Sequence, residues 1–83
     1  MTDHVDLLLD RVRIEQELPA PEVRRALRRA AGVTLDDIAE AAGVTRQAVA
    51  RWENGTRRPR HDHLRVYSRI LTGLSRAGVL EPA

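Results

Sequence analysis

Three side chains in this 83-residue chain have types and spacing that point to a chemistry: Arg46, Gln47 and Arg51. On a helix they share one side. A guanidinium can donate two bonds to a guanine edge, and a carboxamide can both donate to and accept from adenine, each worth about 1–3 kcal/mol of base discrimination. That is recognition chemistry rather than bond-making. Residues suited to bond-making are few. His61 and His63 lie two apart, so a helix would turn them to different faces, and no cysteine or carboxylate completes a ligand set with them. They read as surface or phosphate-adjacent residues. Asp36 and Asp37 are adjacent rather than opposed across a cleft, and they suit a helix start. No glycine-rich phosphate cradle is present. The reading assigns no catalytic residue, no metal site and no cofactor, and the chain is expected not to be an enzyme.

The three recognition residues depend on the elements that hold them. Thr34 is placed as an N-cap with Asp37 three residues on, a capping-box pattern. Leu35, Ile38, Ala39 and Ala42 then recur at helical spacing. Gly43 stands where that helix must stop, since the residue after a helix often needs a positive φ. Thr45 can cap a second helix whose apolar face is Ala48, Val49 and Trp52, and Asn54-Gly55 ends it. Two short helices joined by a tight turn result. If Ala48, Val49 and Trp52 face inward, then Arg46, Gln47, Ala50 and Arg51 face out, and small Ala50 lets the helix sit deep in a groove. The plainer alternative is a solvated polar face on an ordinary helix pair. The turn, the caps and the small residues at the crossing favour the first.

Around this unit the chain predicts further helices. Residues 3–18 carry Val5, Leu8, Leu9 and Val12 at i, i+3, i+4 and i+7, with Leu7, Ile14 and Leu18 broadening the stripe. Pro19-Ala20-Pro21 breaks that segment, and Pro21 fits the first position of the next helix. The stripe fits a helix packed on its own domain, and it also fits a dimer or partner surface. Glu22–Ala31 predicts a helix with Val23, Ala26, Leu27 and Ala30 inward and Arg24, Arg25, Arg28 and Arg29 outward. Those four form either a solvated face or a source of one or two phosphate contacts. Thr56-Arg57-Arg58-Pro59-Arg60 reads as a basic loop without an apolar anchor. Arg57, Arg58 and Arg60 suit contact with a phosphate backbone, or belong to a surface connector. Leu64, Tyr67, Ile70 and Leu71 define a helix from about residue 61 that Gly73 would end, with Ser75 capping a short turn through Leu80.

Composition narrows the class. The chain has no cysteine, which removes disulfides and thiol chemistry. No apolar run approaches the ~20 residues that span a bilayer, and the N-terminus is acidic rather than signal-like, so a cytoplasmic, nucleoid-associated location is expected. The formal charge of +2 conceals an asymmetry. Residues 1–22 hold two arginines against six acids, a net of −4, whereas residues 23–83 hold twelve against six, a net of +6. A basic body points to a polyanionic partner. The acidic leader is expected to face away from it.

Residues 23–74, about two-thirds of the chain, resemble the Xre-type helix-turn-helix family of lambda- and 434-repressor-like and Cro-like DNA-binding domains. The resemblance rests on the arginine-rich helix, on Thr34-x3-Ile38-Ala39-x3-Gly43-Val44-x4-Val49-x2-Trp52-Glu53-Asn54-Gly55, and on Pro59-x4-Leu64-x2-Tyr67-x3-Leu71. It implies an all-α bundle of four to five helices, here with an extra N-terminal amphipathic helix. Residues 1–20 would be that helix and its proline linker, and residues 21–83 the DNA-binding domain. By the same resemblance Arg46, Gln47 and Arg51 match positions that touch base edges. Leu35, through its backbone amide, and Asn54 match phosphate clamps, with Thr45, Arg57, Arg58 and Arg60 as further backbone contacts. Arg28 matches an arginine that pairs with the acid ending the reading helix, Glu53. The loop from Gly55 to Pro59 is short for the repressor subfamily, and the usual fifth helix is reduced to Ser75–Leu80. The implied function is a repressor-like transcriptional regulator of double-stranded DNA, acting as a homodimer. The alternative is an interaction module, such as an antitoxin that neutralises a toxin through residues 3–18.

Overall fold

A computed structural model describes residues 3–79 as five helices: α1 (His4–Glu17), α2 (Pro21–Ala30), α3 (Leu35–Ala42), α4 (Arg46–Asn54) and α5 (His61–Val79). The described residues contain no strand, and the fold is all-α. Local chemistry marks most boundaries. Asp3 caps α1 by accepting the Asp6 amide, and Pro21 opens α2 where its missing N–H costs nothing. Thr34 and Asp37 form a reciprocal capping box on α3, and the Thr45 hydroxyl accepts from the Ala48 amide to start α4. Gly43 (φ 71°) and Gly55 (φ 75°) supply the left-handed residues that end α3 and α4.

Ile38 and Ala39 of α3, Val49 and Trp52 of α4, and Tyr67 and Leu71 of α5 form the buried cluster. Ile14 and Leu64 are buried as well. Each large side chain here contributes about 1.5–3 kcal/mol by leaving water, and truncating Ile38 to alanine would cost about 2–5 kcal/mol. The longest helix, α5, touches α1, α2 and α3, while α4 is wedged between α2 and α3.

Three features depart from what the sequence predicts. The last helix does not end at Gly73: α5 runs unbroken for 19 residues through it. An interior glycine costs roughly 1 kcal/mol against alanine, less than the packing of Leu71 and half-buried Leu74 recovers. Leu80, the expected end of a separate turn, lies outside the described residues. The basic loop does have an apolar anchor, because Pro59 is buried.

The third departure concerns α2, while α1 decides between the two readings left open for its stripe. In α2, Val23, Ala26 and Ala30 are exposed and Leu27 is only half-buried, while Arg24 and Arg28 turn inward. A small bundle with few large apolar side chains fills that boundary with arginine stems whose heads find acceptors. In α1 only Ile14 is buried. Val5, Leu7, Leu8, Leu9 and Val12 all remain exposed, because this helix meets no other helix than α5.

Candidate nucleic-acid interface

The turn between α3 and α4 is short because Gly43 reverses the chain at once and Thr45 restarts it. The Val44 amide donates to the Ala39 carbonyl, tying the turn to α3. On α4, Val49, Trp52 and Glu53 are buried, Ala48 and Ala50 are half-buried, and Arg46, Gln47 and Arg51 are exposed. The three polar residues therefore share the outer face of a helix whose inner face is locked. Trp52 is held from two sides, with the Tyr67 ring centroid at 5.0 Å and that of His63 at 6.1 Å. Arg46 also has Asp36 at 3.9 Å, but both side chains are well exposed, so this pair restrains it little.

An ionic network fixes the far end of α4. Arg28 donates from Nε to Oε2 of Glu53 at 2.6 Å and from Nη2 to Oε1 at 3.0 Å, a bidentate pair, while its Nη1 donates to the Val33 carbonyl at 3.0 Å. The hydrogen bond to Glu53 raises the Arg28 pKa above its ordinary value, ahead of a smaller opposing effect of burial. Arg24 donates to the Pro19 carbonyl at 2.7 Å and to the Trp52 carbonyl at 2.9 Å. That second bond joins the Gly55 amide on the Trp52 carbonyl, in the last turn of α4, where helices favour cations. Arg25 donates to Oδ1 of Asn54 at 2.7 Å and sits 3.5 Å from Glu53. Three of the four α2 arginines thus brace the candidate reading helix. The role of Arg24 escaped the sequence reading, since a backbone carbonyl as partner leaves no mark in the sequence.

Around this ridge stand the other expected contact residues. Leu35 opens α3, and its amide makes no hydrogen bond among the described residues, since first-turn amides have no acceptor within the helix and the capping box serves only those of Thr34 and Asp37. The Asp37 carboxyl is held below its usual range by those bonds to Thr34. Thr45 uses its hydroxyl oxygen to cap α4 and keeps its proton to donate elsewhere. Asn54 accepts from Arg25 through Oδ1, leaving its NH2 free to donate. Arg57, Arg58 and Arg60 are exposed around buried Pro59. Arg58 is not wholly turned away from the acidic leader, since Glu15 of α1 lies 3.7 Å from it.

His61 and His63 are engaged rather than free. His63 lies against Trp52, and Nε2 of His61 is 2.8 Å from Oδ2 of Asp10. Arg13 and then His61 hold the Asp10 carboxyl below its usual range. An ionised carboxylate only accepts, so the His61 Nε2 carries the proton. Among the described residues no group of three or more histidines, cysteines and acids could hold a metal ion, and no helix is long and apolar enough to cross a membrane.

A capped, glycine-turned helix pair with its outer helix braced from behind is now in place, and a helix-turn-helix family model matches residues 25–77. The chain belongs to the Xre-type helix-turn-helix family. This is a family of DNA-binding regulators. Comparisons with curated proteins and with solved structures gave no match.

Proposed function

We propose that this helix-turn-helix protein is a sequence-specific double-stranded DNA-binding transcriptional regulator of repressor type. Helix 46–53 enters the major groove, and Arg46, Gln47 and Arg51 touch base edges. The observation that carries this is the division of α4 into a buried face of Val49, Trp52 and Glu53 and an exposed ridge of those three residues. The buried inner face fixes the helix backbone in advance, so docking has to order only the side-chain tips that bond to the bases. The Leu35 amide, Thr45, Asn54, Arg57, Arg58 and Arg60 set the register on the phosphates. Residues 21–83 form the DNA-binding domain, with residues 1–20 appended to it. The regulator acts in the cytoplasm, on the nucleoid, as a homodimer spanning half-sites about 34 Å apart.

Randomised-site selection with the purified chain tests the reading. Enrichment of one short duplex sequence is expected, with affinity falling as salt rises at a log–log slope of about −0.9 per phosphate contact. Selection that enriches nothing would leave only non-specific charge attraction. A second reading is favoured by the exposed apolar side chains of α1, namely an interaction module whose leader binds a protein such as a toxin. Association of that kind would be insensitive to salt.

A further inference from the structure

The apolar residues of α1 point in two directions. Ile14 is buried and Leu18 half-buried against the body, on the side where Asp10 meets His61. Val5, Leu9, Val12 and Gln16 lie on the opposite side and are all exposed, Val5 and Leu9 at 61% and 60%. Their spacing alternates four, three and four residues. That is the 3.5-residue repeat of a seam between two helices, with Leu8 widening one flank. Among the described residues no helix covers this side, since α1 meets α5 alone.

We propose that a second copy of this chain covers it, with the two α1 helices antiparallel about a two-fold axis between Asp10 and Arg11. In that register Leu9 packs against the second copy's Val12, and Val12 against its Leu9. Val5 meets the second copy's Gln16 at each open end of the seam, where the amide stays wet. Arg13 already holds Asp10 of its own helix at 2.7 Å, and its exposed head makes charge favour this alignment over a parallel one. The axis sets Asp6 beside the second copy's Arg13 on the flank of the seam, and its symmetry makes that contact twice. A parallel, in-register pairing leaves Asp6 and Arg13 about 10 Å apart along the axis and forms neither contact. A helix of 14 residues is about 21 Å long. The seam therefore falls short of the ~800 Å² per partner of a standard interface, and the dimer is a weak one. Two DNA half-sites would tighten it through effective concentration. That last step rests on the DNA-reading proposal, whereas the pairing itself does not.

Sedimentation of the full chain without DNA, from micromolar to millimolar concentration, tests the pairing. A concentration-dependent dimer is expected. Leu9→Asp should weaken it about 100-fold or more, because each dimer loses two buried leucines. Leu9 is exposed in the protomer, so circular dichroism should show its helices intact. Register is read by mixing Asp6→Arg chains with Arg13→Glu chains. Each homodimer then carries like charges across the seam, while the heterodimer restores opposite ones at both contacts, so the mixture should dimerise more tightly than either variant alone. A chain that stays monomeric at millimolar concentration overturns the proposal and hands the stripe to a partner of different sequence. A dimer indifferent to Leu9→Asp, or a mixture without heterodimer preference, overturns it too. No DNA is present, so none of these outcomes bears on base reading.

Discussion

Replacing Arg28 with methionine strands a buried carboxylate. The Arg28 side chain is 12% exposed and that of Glu53 only 3%, and the two share both short bonds of a bidentate pair. Removing one partner of such a pair costs about 3–5 kcal/mol, because the remaining charge stays desolvated without compensation. Arg25, 3.5 Å from Glu53, supplies part of that compensation, but its side chain is 45% exposed and screened. A partner of that kind offsets about 1 kcal/mol at most. The net loss should be about 2–4 kcal/mol, large against the ~5–15 kcal/mol total of a typical domain. Replacing both residues, Arg28→Met with Glu53→Leu, removes the stranded charge and should cost much less than the two single changes together. Urea unfolding followed by circular dichroism at neutral pH gives all three values. An Arg28→Met cost under about 1 kcal/mol, or a double variant that loses the sum of the singles, would refute the stranded charge.

In competition binding, Gln47→Ala and Arg51→Ala should each cost about 1–3 kcal/mol on the preferred site and relax preference there. Arg58→Ala should weaken all duplexes evenly and make the salt slope shallower by about one, and equal losses on every duplex from all three changes would remove the base-reading assignment. The Tyr67 hydroxyl is buried without a hydrogen-bond partner among the described residues, so Tyr67→Phe should be neutral or stabilising in urea unfolding, and a loss above about 1 kcal/mol would reveal a bond not accounted for. Burial pushes the Tyr67 pKa up to about 12 from an ordinary 10, so the folded state resists ionisation. Its stability should be complete below pH 10 and drain away as pH climbs towards about 12; Tyr67→Phe should flatten that slope. Gly55→Ala and Gly43→Ala both place a side chain at positive φ, costing about 1–2 kcal/mol. Only at Gly55 does the new Cβ also meet the Pro21 ring, at 3.0 Å, so thermal melts should rank Gly55→Ala the worse of the two.

The sequence by itself determined the elements that rest on neighbours a few residues apart. The Thr34–Asp37 box, the Thr45 cap, the glycine stops at Gly43 and Gly55 and the inward Val49–Trp52 face are all short-range, because caps and helical periodicity act within one or two turns. Tertiary structure decided what those rules could not reach. Apolar spacing alone turned Val23 inward on α2, yet the fold turns in Arg24, because the Trp52 carbonyl far along the chain was there to receive its charge; the inward turn of Arg28 onto Glu53 was implied by the family resemblance. Gly73 looked like a stop, and packing against the body carried α5 through it. The leader's stripe read equally well as core or as contact surface. Only the placement of α1 on a single neighbour showed that its outer side stays open, since burial belongs to the assembled surfaces and not to any one helix.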